Sequence, residues 1–362
     1  MVVPAKIIMK FLNAAGSYSY AKEALVRPRD RATMARMSNP YRVLLCRTLH
    51  PAGMALLDAR PEIVCTILHD PPVPQFHAAL ASADATLCWL ERVDQAALDA
   101  APKLRCVSRY GVGFDTVDVP ACTARGVPVM VANGSNDLSV AEHALMLMLA
   151  VARRAGQHDR HIKAGGWWPE GGPRMLDLAG KNLLIVGYGR IGTRVARYGA
   201  ALGMRVSVLD PFYVPARIAA DGFFAARGLH AALGEADIVS LHCPLRPDTM
   251  HLMNAAAFAA MRPGAILINT ARGPVVDEAA LLGAIGRLHG YGADVLEVEP
   301  PAGPHPLFAH PNVILSPHNA ASTEEGLARM ARMAAQNILD CLDGTPDPAM
   351  MVNPELAHGA PT

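Results

Sequence analysis

Three ionisable side chains of three kinds stand just past three short apolar runs in the second half of the chain. Arg272 follows residues 265–270, Glu299 follows residues 292–296, and His318 follows residues 313–316. Runs of this length and composition read as strands. Ligands of open α/β sheets collect beyond the carboxyl ends of the strands, so a guanidinium, a carboxylate and an imidazole are expected at one crevice. The set suits hydride addition to a carbonyl. Charge growing on the carbonyl oxygen must be met by a proton, and imidazole titrates near neutrality. A carboxylate beside it stabilises the imidazolium and fixes its orientation. A guanidinium grips a substrate carboxylate with a planar fork and polarises the carbonyl. Singly, each residue has an ordinary structural explanation. Their coincidence at three strand ends carries the weight.

A hydride needs a carrier, and the chain has a motif for one. Residues 182–186 form an apolar strand, followed by Gly187-Tyr188-Gly189-Arg190-Ile191-Gly192, a helical stretch, and a second strand ending on Asp210. This is G-x-G-x-x-G in a strand–turn–helix–strand unit. Gly187 permits the tight turn, Gly189 lets backbone approach a pyrophosphate, and Gly192 lets the helix lie close. The helix N-terminus offers N–H groups to the phosphates. Asp210 can accept hydrogen bonds from ribose hydroxyls and would repel a 2′-phosphate. Pro211, Phe212 and Tyr213 follow it rather than an arginine. NAD is therefore favoured over NADP.

These residues need a scaffold. A chain of 362 residues, 51% apolar, can fill two cores. Residues 41–131 alternate strands and helices, and so do residues 182–316, which implies an α/β fold with mostly parallel sheets. Ser139-Val140-Ala141-Glu142 has capping-box spacing and is expected to open a long apolar helix from Val140 to about residue 155. The net charge of +1 gives no electrostatic case for nucleic acid or an acidic membrane. The longest apolar run is too short to cross a bilayer. The seven cysteines are scattered, without C-x-x-C, and read as buried hydrophobes in a reduced, cytoplasmic compartment. No His/Cys spacing suggests a metal. Residues 1–40 are basic and aperiodic, and an unstructured extension is expected there in preference to a targeting segment.

The chain resembles the D-2-hydroxyacid dehydrogenase family, which includes D-3-phosphoglycerate dehydrogenases, over roughly residues 41–345. The resemblance rests on Ser108–Asp115, on Asn136 with Ser139–His143, and on the G-x-G-x-x-G. It continues through His242-Cys243-Pro244-Leu245, Asn269–Gly273, Ala293-Asp294-Val295 with Glu299-Pro300, and Ser316-Pro317-His318. It implies two Rossmann-like lobes, one flavodoxin-like and one NAD-binding, with a cleft between them. The substrate lobe would comprise residues 41–139 and 319–345, the NAD lobe residues 140–318, and residues 346–362 would be a tail. The resemblance makes His318 the acid/base, Glu299 its partner and Arg272 the substrate anchor. It places Gly187, Gly189, Arg190, Ile191, Gly192, Asp210, His242, Pro244, Thr249, Thr270, Ala271, Arg272, Asp294, His318 and Ala320 along the cofactor. It places Arg109, Tyr110, Gly111, Val112, Gly113 and Arg272 at a small 2-hydroxy or 2-oxo acid. It implies a homodimer built on the helix from Val140.

The chain departs from the family pattern in two places. The span from Arg272 to Glu299 is two residues short, near Gly286. Cys88-Trp89 stands where phosphoglycerate dehydrogenases carry an arginine, which argues for a less phosphorylated substrate unless Arg92 or Arg109 compensates. An NADH-sensing binding protein of the corepressor type and a phosphite dehydrogenase on the same scaffold are the alternative readings.

Overall fold

Two sets of short strands, buried at their centres, organise the protein. The structure, a computed structural model, describes residues 25–26, 40–167 and 172–358. The rest of the basic extension and part of the Trp-rich loop lie outside the described residues. The chain divides into two units. One is built from residues up to Ser135 with those from Leu327 on, and the other is Asn136–Gly326.

Among the described residues the first unit holds six strands: β1 Leu25–Val26, β2 Tyr41–Leu45, β3 Ile63–Ile67, β4 Ala85–Cys88, β5 Cys106–Arg109 and β6 Val129–Met130. Their order is β1-β3-β2-β4-β5-β6. Strands β2 to β6 are parallel, and β1 adds antiparallel to β3. The parallel part has the flavodoxin-type order, whose topological switch point falls between β2 and β4. Helices Pro51–Asp58, Val73–Leu80, Gln95–Asp99 and Val119–Ala124 make the crossovers. Asp94 and Asp118 cap two of them through side-chain bonds to Ala97 N and Ala121 N.

Among the described residues the second unit holds seven parallel strands: β7 Asn182–Val186, β8 Arg205–Leu209, β9 Phe224–Ala225, β10 Ile238–Leu241, β11 Ile266–Asn269, β12 Gly290–Ala293 and β13 Val313–Leu315. The order is β13-β12-β11-β10-β7-β8-β9, so the switch point lies between β10 and β7. Alternate residues feed two cores. Leu184, Val239 and Leu267 join one, while Leu183, Ile185, Ile238, Ile266 and Ile268 join the other. A sheet covered on both faces needs such runs, and each buried Leu or Ile contributes about 1.5–3 kcal/mol.

Several boundaries differ from the sequence reading. Strand β12 starts at Gly290, two residues early, because Gly290 and Tyr291 pair with Ile266 and Leu267 although glycine carries little strand signal. The apolar helix is Asp137–Ala152 with Asn136 at its cap. Ser139 therefore lies within the helix, and its hydroxyl meets Thr323 Oγ1 at 2.9 Å rather than capping. The helix ends at Ala152, and Arg154, with φ of 55°, separates it from Ala155–Lys163. Residues beyond 345 are not a trailing tail as far as they are described. Val352 N donates to Val129 O, Met351 bridges Met130, and the buried Asn353 amide accepts from Val129 N and donates to Val127 O. They cover the β6 edge, which would otherwise expose unpaired backbone.

The last helix, Glu324–Leu342, is capped by Thr323, whose Oγ1 accepts from Gly326 N at 3.0 Å. Within the first unit its Ala334 carbonyl accepts the Ser108 hydroxyl, and Asn337 donates to Val131 O. All seven cysteines are buried, and none is in a disulfide. Among the described residues no helix is long and apolar enough to cross a membrane.

Candidate active site

The carboxyl ends of β7, β8, β10 and β11 form a cradle. Gly187 leaves β7 with φ of +94°, and a Cβ there would stand 2.6 Å from Cys243 N. Only glycine fits that conformation and that approach. The helix Arg190–Ala201 packs onto the turn itself, since a Cβ on Gly192 would lie 2.0 Å from the Gly187 carbonyl oxygen. Gly189 is the helix N-cap and has no side-chain cap bond. Exposed Arg190 and half-buried Ile191 make the first turn, and their end of the helix presents unpaired N–H groups. Asp210, past β8, accepts Tyr188 N–H at 2.7 Å through Oδ2 and Phe212 N–H at 2.8 Å through Oδ1. Each oxygen retains acceptor capacity beyond these bonds.

Two polar atoms at neighbouring strand ends are buried without a protein partner, His242 Nδ1 and Thr270 Oγ1. The other ring nitrogen of His242 pairs with Ser240 Oγ at 2.9 Å, and burial pushes this histidine down to about 3. It is a neutral hydrogen-bonding group rather than an acid. The 244–249 loop beside it is held by Thr249 Oγ1, which donates to Pro244 O and accepts from Arg246 N. A glycine turn, a helix N-terminus, a strand-end carboxylate and two unsatisfied buried polar atoms together fit a dinucleotide.

The ends of β11, β12 and β13 carry the ionisable trio. Glu299 Oε2 lies 2.6 Å from His318 Nδ1. The other carboxylate oxygen accepts Leu296 N–H at 2.8 Å, which fixes the carboxylate. His318 has φ of +50°, a strained left-handed conformation for a residue with a side chain. That backbone is held from below by Asp294, which is 2% exposed. Its Oδ1 accepts Ser316 Oγ–H at 2.6 Å and Asn319 N–H at 2.9 Å, its Oδ2 accepts Ala320 N–H at 2.9 Å, and its carbonyl accepts His318 N–H. His143 Nε2 approaches Ser316 Oγ at 2.7 Å. The serine proton is committed to Asp294, so His143 is the donor. Arg272 is half-buried and donates from Nη1 to Ala271 O. Buried Asn269 shapes its turn, accepting from Ala271 N and donating to Arg272 O.

Sequence reasoning did not assign roles to Asn269, His143 and Ser316. Asn269 carried a signal, as a polar residue closing an otherwise apolar strand. His143 and Ser316 are far apart in sequence, and neither stands out alone.

In the first unit the loop after β5 is organised by Arg109, which is 7% exposed. Its Nε donates to Gly113 O at 2.8 Å and its Nη1 to Trp89 O. The guanidinium thus turns back to brace Tyr110, Gly111, Val112 and Gly113. Gly111 lies at φ of +136° and its carbonyl accepts Ala132 N–H.

A doubly wound dinucleotide domain joined to a flavodoxin-type unit, with a carboxylate-paired histidine at a strand end, defines an α/β oxidoreductase. Residues 145–320 match the NAD-binding domain of the D-isomer specific 2-hydroxyacid dehydrogenases. A glyoxylate reductase of Thermofilum pendens is 36% identical over 340 residues, covering 90% of this chain and 98% of that protein. A D-3-phosphoglycerate dehydrogenase of Archaeoglobus fulgidus is 39% identical over 258 residues, covering 70% of this chain, which spans 48% of that protein. Among solved structures, the TT0316 protein from Thermus thermophilus aligns with a TM-score of 0.79 and 36% identity, over 86% of this chain and 99% of that one. The chain belongs to the D-isomer specific 2-hydroxyacid dehydrogenase family and is an NAD-dependent oxidoreductase.

Proposed function

We propose that this protein interconverts small 2-oxo acids and their D-2-hydroxy acids, with NAD(H) preferred over NADP(H). The observation that carries the reading is the His318–Glu299 pair, 2.6 Å apart, at the carboxyl edge of the dinucleotide sheet. NADH, when bound, supplies the hydride. Glu299 engages Nδ1, so His318 presents Nε2 as the group that delivers a proton to the forming alkoxide and removes it in reverse. Arg272 holds the substrate carboxylate and polarises the carbonyl. Gly111, Val112 and Gly113 offer backbone N–H groups to the same carboxylate. Arg190 and Ile191 take the pyrophosphate, Asp210 the ribose, and Thr270, Ala271 and Ala320 the nicotinamide side, with His242, Pro244 and Thr249 along the adenosine half. The similarity to a glyoxylate reductase supports a compact 2-oxo acid.

The test is a panel of glyoxylate, hydroxypyruvate, pyruvate, 2-oxoglutarate and phosphohydroxypyruvate, each with NADH and with NADPH. Turnover of at least one with NADH is expected. A folded, NADH-binding protein inert toward all of them would overturn the reading.

The same proposal includes a homodimer. Leu138, Met146 and Leu149 on the helix Asp137–Ala152 are exposed, as are Ile162, Trp167 and Met175, and the helix Ala155–Lys163 buries no residue. Exposed apolar side chains along the helix Asp137–Ala152 are suited to cover by a partner, and a second copy is the one expected. Sedimentation at micromolar concentration should give twice the chain mass of 38.4 kDa.

A further inference from the structure

The turn that leaves β12 must set the Glu299 carboxylate against His318. Leu296 N–H holds Glu299 Oε1 at 2.8 Å, so the carboxylate is placed only as well as the backbone of Leu296 and Glu297. What fastens that backbone lies outside the residues given roles above.

Two glutamates clasp it. Glu278 opens the helix Glu278–Ala284, behind the Asp277 cap, whose side chain accepts Ala280 N–H at 2.9 Å. The Glu278 N–H is one of the helix-start donors with no partner inside the helix. It donates to Glu297 Oε2 at 3.2 Å, and Glu297 N–H donates in return to Glu278 Oε1 at 2.9 Å. Each carboxylate therefore holds the other residue's backbone. The second oxygen of each faces a histidine. Glu278 Oε2 lies 3.0 Å from His305 Nε2, and Glu297 Oε1 lies 2.8 Å from His251 Nε2. Leu307 N–H donates to His305 Nδ1 at 3.3 Å, which leaves Nε2 to carry a proton toward Glu278. Glu278 is 8% exposed, and a carboxylate that deep is costly unless its oxygens are used in this way.

The turn after Arg272 packs on the same backbone. A Cβ on Gly273 would run into the Leu296 carbonyl and stand 2.5 Å from Glu297 N. His251 N–H donates to Pro274 O at 2.8 Å, so the histidine that meets Glu297 is tied to that turn as well. The Leu296–Glu297 peptide is thus closed in by the Gly273 turn, by the clasp and by the Glu299 carboxylate it carries.

We propose that the buried Glu278 is a positioning residue: by clasping Glu297 it fixes the Leu296–Glu297 peptide, and through it the Glu299 carboxylate that orients His318. This rests on the reading of His318 and Glu299 as the acid/base pair of a 2-oxo acid reductase. Neither Glu278 nor Glu297 has a part in the chemistry itself.

The experiment is a double-mutant cycle on kcat, counted per NADH bound so that the folded fraction does not enter, with a 2-oxo acid that the wild-type protein reduces. Glu278→Ala should lower kcat about 10- to 100-fold, the cost of a small misplacement of a catalytic group, with the Kd for NADH nearly unchanged. Glu278→Gln keeps an acceptor for Glu297 N–H and should restore part of the loss. In a Glu299→Ala background no carboxylate is left to position, and Glu278→Ala should then change kcat by no more than about twofold. The more exposed Glu297→Ala opens the clasp from its other side and should behave in the same way, which keeps the test in hand should Glu278→Ala fold poorly. Asn254→Ala removes a helix cap elsewhere in this unit, the acceptor of Ala257 N–H. It should weaken the fold and leave kcat per bound NADH at the wild-type value. A wild-type kcat in Glu278→Ala or Glu297→Ala, or an equal loss with and without Glu299, would overturn the proposal while leaving the reductase reading intact. A wild-type protein inert toward every 2-oxo acid would instead remove the reading beneath it.

Discussion

Glu299 Oε2 lies 2.6 Å from His318 Nδ1, and Glu299 Oε1 accepts Leu296 N–H, so the carboxylate is fixed before it meets the imidazole. A carboxylate held at one ring nitrogen sets the tautomer and leaves the other nitrogen for proton transfer. His318→Asn keeps a polar side chain of similar reach but removes the transferable proton. It should lower kcat about 10²- to 10⁴-fold, with the Kd for NADH, read by fluorescence titration, nearly unchanged. Full activity in that variant would reassign the acid/base.

Ser316 links His143 to Asp294, and Asp294 holds the backbone on either side of His318. Removing the hydroxyl leaves the Asp294 carboxylate one donor short and frees the strained turn to relax. Small misplacements of a catalytic group are costly. Ser316→Ala should reduce kcat about tenfold while KM for NADH stays within error, and Ser316→Thr should restore most of the loss. A Ser316→Ala enzyme with wild-type kcat would show that the link does not position His318.

The glycine turn at 187 is readable from one sequence because its geometry excludes other residues, which leaves a local mark. The same holds for Arg272, Glu299 and His318, since a strand end is a local event. What holds them in place is not local. His143 reaches Ser316 across 173 positions. Asp294 looks like any acid after a strand until its four backbone and side-chain partners are seen. Ser139 misled in the opposite direction. Its capping-box spacing is genuine, but Asn136 already occupies the cap and the hydroxyl is engaged by Thr323.

Asp210 has a structural duty as well as its proposed cofactor role, because it braces the Gly187 turn through Tyr188 N–H. Asp210→Ser removes the negative charge proposed to meet the ribose but keeps a short polar side chain. The ratio of kcat/KM for NADH to that for NADPH should fall about 10- to 100-fold, the range for a hydrogen bond to a charged group. An unchanged ratio would show that another residue selects the cofactor.

His242 makes stability depend on pH. Burial pushes it down to about 3 in the folded protein, whereas the unfolded chain takes up a proton near pH 6.5. The unfolded state therefore binds more protons between those limits, and folding stability falls as the pH drops through this window. The slope from this residue is about 1.4 kcal/mol per pH unit. From pH 7.5 to pH 5.0 it should cost the wild-type protein about 2 kcal/mol. His242→Gln retains a polar group toward Ser240 but cannot titrate. Urea unfolding at the two pH values should therefore show a loss about 2 kcal/mol smaller in the variant than in the wild type. Equal losses in the two proteins would mean that His242 is protonated in the folded state well above pH 5.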